Sequence, residues 1–290
     1  HLTAEQIVEN KRKVYHIIIL VQNPLGLYHL YKLVSESHTQ YFHRRPRIPK
    51  SLLTYLRSGL LLGSACEQGE VFQAVVQLYR QAGNHLDQAQ NALGAGELQK
   101  LARYYDYLEI QPLTNNHFML LDEESGMQLP TDLENLNKLV VSLGERNRKP
   151  VCATCDVHFL EPRDEVYRRI LQADMDFKDA DRQAELYFRT TDEMLGAFSY
   201  LGETKAEEVV IEAPRRIADR IEADLKPFPD GSFPPVIPEA ADQVRAIVSQ
   251  KANELYGRND KLPTVVQERL DKELSSIIDN GFAIMYYIAH

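Results

Sequence analysis

Residues 151–160, Val-Cys-Ala-Thr-Cys-Asp-Val-His-Phe-Leu, hold the densest set of side chains able to do chemistry. The run is apolar and β-prone, ends in Asp156-x-His158, and is followed at once by a helix-like Glu-Pro-Arg-Asp. Along a strand, positions two apart share a face. Asp156 and His158 are therefore expected to project together from the strand's carboxyl end, where α/β folds place their chemistry. A carboxylate beside an imidazole is half of a divalent-metal site. Cys152 shares their parity and Cys155 does not, so Cys152-x-x-Cys155 is not expected to chelate. A zinc ribbon or redox centre would also need a second cysteine pair, a histidine pair or a thioredoxin context. Cys155 is read as a buried apolar thiol.

Other candidates stand further off. His16 lies in a very apolar strand, where a lone histidine is ordinarily a hydrogen-bonded core residue. It becomes a ligand only if other donors converge on its end of the strand. Cys66, in Gly-Ser-Ala-Cys-Glu-Gln-Gly, follows a short strand directly, and taken alone it reads first as a small residue in a tight turn. Glu109 and Gln111 share one face of a third strand and read as a satisfied polar pair. Arg44-Arg45-Pro46-Arg47 is a basic patch in an acidic chain. Such a run is most simply a solvated loop, but Arg45 and Arg47 also have the forked geometry of a phosphate clamp. The triplets Asp174-Met175-Asp176 and Asp179-Ala180-Asp181 could suggest a two-metal site. With no strand to hold them, they read as a solvated connector.

These residues need a framework, and the first half of the chain supplies one by alternation. Predicted strands are 14–21, 59–64, 107–111 and 150–156. Predicted helices carry Leu27, Leu30, Tyr31 and Val34, then 71–81 and 133–147. Residues 86–96, rich in Ala, Gln and Gly, read as a variable surface insertion. Strand, helix, strand, helix implies parallel βα units in an open α/β sheet or a barrel, although four strands are too few for a complete eight-stranded barrel. Beyond about residue 190 the pattern is helical: 191–200, 205–212, 214–223, 239–256 and 265–279. Thr190-Thr191-Asp192-Glu193 reads as a helix cap with acids in the first turn, and Pro214 suits a helix start. The Pro-rich stretch 226–238 cannot be helix and reads as an extended linker.

Composition sets the outer limits. The chain has 290 residues, 44% apolar and 26% charged, which is ordinary for a soluble globular protein with one large or two medium domains. A net charge of −9 argues against strong DNA binding by this segment alone, since affinity for the phosphate backbone rests on Lys and Arg. Three cysteines suit a reducing cytosol rather than a disulfide framework. No apolar run approaches the ~18–20 residues of a membrane span. A first residue His1 and a last stretch inside the apolar run Phe-Ala-Ile-Met-Tyr-Tyr-Ile-Ala read as a piece of something larger.

An ordered series then stands out. It comprises Tyr-His-Ile-Ile-Ile-Leu (15–20), Tyr-Phe-His-Arg-Arg-Pro-Arg-Ile (41–48), Gly-Leu-Leu-Leu-Gly-Ser-Ala-Cys-Glu (59–67), Tyr-Leu-Glu-Ile-Gln-Pro (107–112), Ala-Thr-Cys-Asp-Val-His-Phe-Leu (153–160) and Leu-Tyr-Phe-Arg-Thr-Thr-Asp-Glu-Met-Leu (186–195). It resembles the PolC-type α subunit of bacterial DNA polymerase III, the replicative polymerase of low-GC Gram-positive bacteria, and the likeness covers nearly the whole chain. The resemblance implies that residues 1–175 are the carboxyl-terminal portion of a polymerase and histidinol phosphatase (PHP) domain, a distorted seven-stranded (βα)7 barrel interrupted in this family by an inserted 3′–5′ exonuclease. Residues 176–290 would be an all-helical segment leading into the polymerase core, with the linker at 226–238.

By matching motif, the resemblance carries over His16, Cys66, Asp156 and His158 as PHP metal ligands for zinc, manganese or iron, while the family's earlier ligands lie upstream. Position 155 is usually small in the family, so Cys155 departs from the pattern. The implied parent is a cytoplasmic DNA-directed DNA polymerase. It uses DNA, deoxynucleotides and magnesium, and meets the sliding clamp and replisome through regions outside this segment. The segment itself is expected to be inactive, with a structural metal site. A stand-alone PHP phosphoesterase is the competing reading, and a clamp- or clamp-loader-binding module a third.

Overall fold

In the computed structural model, residues 13–290 are described, apart from 95, 178, 179, 182, 232, 234, 259 and 260 and the side chain of 123. Two compact units result, one running up to Pro227 and the other Phe228–His290. The boundary between them, 227/228, lies inside the Pro-rich stretch 226–238. No described residue of 226–238 is helix or strand.

The first unit begins with β1 (Ile18–Val21), α1 (Pro24–Thr39), α2 (Lys50–Tyr55) and β2 (Leu60–Gly63). Contrary to the parallel expectation, β1 and β2 pair antiparallel, Ile18 opposite Gly63 and Val21 opposite Leu60. The reason lies in the connection. One crossover helix would return the chain to the far end of the sheet, whereas α1 and α2 together bring it back to the end it left. There the Gln22 N–H donates to the Gly59 carbonyl at 2.9 Å. The Asn23 side chain caps α1 by accepting from the Gly26 N–H at 3.0 Å. A Cβ on Gly26 would stand 1.8 Å from that same Gly59 oxygen, and Gly59 itself has φ +77°. Only glycine serves at both contacts.

From β2 the chain passes through α3 (Glu70–Gln81), α4 (Leu86–Ala92) and α5 (Glu97–Tyr104) to β3 (Leu108–Ile110), then α6 (Pro130–Asn147) and β4 (Val151–Ala153). Here the βα reading is met: β3 and β4 are parallel, with Glu109 opposite Cys152, and α6 is the crossover. A parallel bridge between Gly63 and Tyr107 joins β2 to β3. Among the described residues the strands form two small sheets and close no barrel. Residues 86–96 are no mere surface insertion, because Ala89 and Leu93 are fully buried.

After β4 come α7 (Glu165–Asp174), α8 (Thr191–Ala197), α9 (Glu203–Glu207) and α10 (Ala213–Ala218). The predicted cap at α8 is present: the Glu193 N–H donates to Thr190 Oγ1 at 3.3 Å and the Thr190 N–H to Glu193 Oε2 at 2.7 Å. One core holds these elements together, running from Leu33 and Leu62 through Tyr79, Leu136 and Leu139 to Phe198 and Val209. Full burial of each such side chain contributes about 1.5–3 kcal/mol. Of the two acidic triplets, Asp174 ends α7, Asp174, Asp176 and Asp181 are exposed, and Asp179 lies outside the described residues. In the second unit, α11 (Ala240–Tyr256), α12 (Thr264–Asp279) and α13 (Ala283–Ala289) bury Val244, Ala252, Leu274 and Ala283.

Candidate functional site

The turn after β2 builds one corner of a cavity of about 1230 Å³. Ala65 adopts φ 60°, and the Gly69 N–H closes the turn on the Cys66 carbonyl at 2.8 Å. A Cβ on Gly69 would lie 2.0 Å from the Ser64 oxygen, so the turn needs glycine there. Ahead of β1, the His16 N–H donates to the Gln68 carbonyl at 3.0 Å, and His16 forms a parallel bridge with Gly69. Backbone bonds thereby bring together residues 50 apart: His16 Nδ1 and Cys66 Sγ are 3.4 Å from each other. Burial, then the negative charge of Glu67, and more weakly that of Asp156, push the Cys66 thiol up to about 12.

Asp156 lines the same cavity, but not by the expected route. β4 stops at Ala153, and Asp156 has φ 52°, a left-handed conformation that ends strand alternation. The side chains of Asp156 and His158 consequently do not project together into it. His158 Nδ1 turns back to the Asp156 carbonyl oxygen at 2.7 Å and is 3.9 Å from the Asp156 carboxylate. His158 lines a separate depression with Phe159, Leu160 and Tyr167. Among the described residues, no group of three or more His, Cys, Asp and Glu is arranged to hold a metal ion. The His16–Cys66 pair does fit a metal, since two neighbouring ligands on a tetrahedral zinc, with bonds of roughly 2.0 and 2.3 Å, stand about 3.5 Å apart.

The cavity wall comes from β3 and β4. Glu109, Gln111, Cys152 and Thr154 all line it. Thr154 Oγ1 donates to Glu109 Oε2 at 3.2 Å. Burial raises the Glu109 carboxyl above the usual range and Asp156 adds to the effect, while Thr154, the Tyr107 hydroxyl and the Ala65 N–H oppose it. Burial and the Glu109 charge push the Cys152 thiol up to about 12. Cys155 faces away, partly buried against the main core, with its Sγ 3.2 Å from Met194 Sδ. The expected satisfied pair is met in part: the Glu109 carboxyl bonds Thr154, the Tyr107 hydroxyl and the Ala65 N–H, whereas Gln111 Oε1 is buried without a hydrogen-bond partner.

Arg47 also lines the cavity and Arg45 does not; Arg45 is exposed. Arg47 Nε is buried without a partner. Lys50 also lines the cavity, yet its ammonium is engaged by Glu70 at 2.6 Å. Sequence reasoning missed Lys50, Glu70 and Thr154, all of which line the cavity. Thr154 could have been found from its parity with Cys152, whereas the Lys50–Glu70 contact across 20 residues leaves no local pattern.

With that geometry in view, the comparisons are specific. Residues 2–112 match the PHP domain family. The chain is 48% identical over 279 residues to a Clostridium perfringens protein named DNA polymerase III PolC-type, aligning 96% of its own length and 18% of the relative's. The chain is similar to PolC-type DNA polymerase III. A Caldanaerobacter subterraneus PolC-type relative is 50% identical over 288 residues, or 99% of this chain and 19% of its own length. That of Bacillus subtilis is 40% identical over 286 residues, or 97% and 18%. The likeness to PolC-type sequences therefore runs from the cavity through the second unit, and the chain spans under a fifth of the length of these curated relatives. No helix among the described residues is long and apolar enough to cross a membrane.

Proposed function

We propose that this chain is one segment of a replicative, PolC-type DNA-directed DNA polymerase. The whole enzyme adds deoxynucleotides to primed DNA with magnesium, by attack of the primer hydroxyl on the α-phosphate. The observation that carries the reading is identity of 48–50% along 96–99% of the chain, confined to 18–19% of each relative. Residues 1–175 take the PHP part, as the remainder of a distorted (βα)7 barrel. Residues 176–290 take the helical approach to the polymerase core. DNA and deoxynucleotides are substrates of the whole protein in the cytoplasm, and the sliding clamp and replisome bind elsewhere on it.

Within the segment, His16 and Cys66 are the primary donors to zinc, manganese or iron, Asp156 is the third, and His158 joins them by rotation of the 154–160 loop. When bound, the metal supplies a structural clamp between the turn after β2 and the loop after β4. Arg47 holds an anion such as phosphate beside it, and Arg45 adds charge from outside the cavity. The expected outcome of primer extension is no incorporation by the 290-residue chain and incorporation by a chain completed to its relatives' length. Extension by the purified 290-residue chain, or hydrolysis of a phosphomonoester that depends on Cys66 and Asp156, would refute this reading.

A further inference from the structure

A cluster of charge gathers where the chain enters β3 and β4, and none of its members lines the cavity. The parallel register sets Leu108 beside Val151, and the Leu108 N–H donates to the Pro150 carbonyl at 2.9 Å. Two residues back on each side, the same register brings Asp106 beside Lys149. The Asp106 carboxylate is already engaged. It accepts from Arg57 Nη2 at 2.9 Å and from the Leu62 N–H at 2.8 Å, and Arg220 Nη2 stands 3.7 Å from its other oxygen. Arg57 is fixed in turn by the Tyr104 carbonyl, to which its Nη1 donates. Three cations therefore share one carboxylate. Lys149 is the one left over, since among the described residues its amine makes no hydrogen bond or ion pair. It is partly buried and Arg220 is exposed, so solvent reaches the cluster.

We propose that Lys149 is an acyl-acceptor site for small acyl phosphates, with Arg220 receiving the phosphate. An ammonium that is partly desolvated and set beside two guanidinium charges gives up its proton more readily, and the neutral amine is the nucleophile. Burial lowers the Lys149 amine below the usual lysine range; the Asp106 charge opposes this, and the Arg57 and Arg220 charges add to it. The Arg220 guanidinium, held only at 3.7 Å, has a fork matched to phosphate oxygens. In the step, Lys149 Nζ attacks the acyl carbon and a C–N bond forms. The bond from that carbon to the phosphate oxygen breaks, and the phosphate leaves with the electron pair and takes the amine's proton as hydrogen phosphate. The product is a neutral amide, which removes one positive charge from the cluster. This site does not depend on the polymerase reading.

Timed acetylation of the intact 290-residue chain with acetyl phosphate at neutral pH tests it, read lysine by lysine by peptide mass spectrometry. Lys149 is expected to gain acetyl groups about tenfold faster than the exposed Lys272. A neutral acetyl thioester, which offers no phosphate, gives a smaller preference. Arg220→Gln lowers the preference with acetyl phosphate several-fold and leaves Lys272 unchanged, while Arg220→Lys, which keeps the charge, retains most of it. Should a variant fail to fold, the contrast between the two donors on the unaltered chain still decides. Equal rates at Lys149 and Lys272, the same preference with both donors, or a preference that survives Arg220→Gln overturns the proposal.

Discussion

The two ends of the candidate metal site are held in unlike ways. His16 and Cys66 meet at 3.4 Å because main-chain bonds position both: the His16 N–H on Gln68, the Gly69 N–H on Cys66, and a glycine pressed against Ser64. Asp156 and His158 are only two residues apart, yet they face different depressions. Their loop begins after β4 has ended, and the left-handed Asp156 sends the chain off at a new angle. Distance along the chain is thus a poor guide to convergence, and main-chain bonding is a good one.

The comparison breaks most visibly at Gly69. Gly69→Val is expected to lower unfolding free energy by about 1–3 kcal/mol, because its Cβ meets a backbone oxygen that cannot move aside. Urea denaturation with an unchanged m-value would measure it. A negligible cost would mean that the corner is not rigid.

The strand wall sharpens the contrast through pH. The Cys152 thiol ionises near 9 when unfolded and is pushed up to about 12 by burial when folded. The folded state therefore keeps a proton that the unfolded state has lost, and stability falls as pH rises from about 9 to 12. Below 9 this contribution is fully present. Thermal melts should show the decline, with a shallower slope in Cys152→Ala. An identical slope would separate Cys152 from the effect.

The smallest change is expected in the 154–160 loop. Asp156→Gly suits the left-handed backbone and removes little packing, so stability should move by less than about 1 kcal/mol in chemical denaturation. A larger loss would mean that the Asp156 side chain anchors this loop as firmly as Gly69 anchors the other corner.

Strand and helix positions were legible from apolar runs, and all four strands fall inside the predicted runs, although each is shorter. The cap at Thr190 and Glu193 was legible because it is a local hydrogen-bond pattern. The antiparallel pairing of β1 with β2 was not, since it depends on Gly26 and Gly59 fitting together across the whole α1–α2 excursion. Alternation correctly put Cys152 on the cavity and Cys155 on the core. It failed for His158 because a single positive φ lies between that residue and the strand. The partners of the buried Glu109 carboxyl were invisible, since residue types alone cannot reveal which groups from other strands and turns surround it.

Cobalt(II) titration tests the central claim, that His16 and Cys66 are the pre-assembled half of the site. The account predicts a thiolate-to-cobalt absorption band in the unaltered chain, lost in Cys66→Ser, weakened at least tenfold in affinity in His16→Ala, and little changed in His158→Ala. A band that survives Cys66→Ser, or equal losses in His16→Ala and His158→Ala, would contradict it.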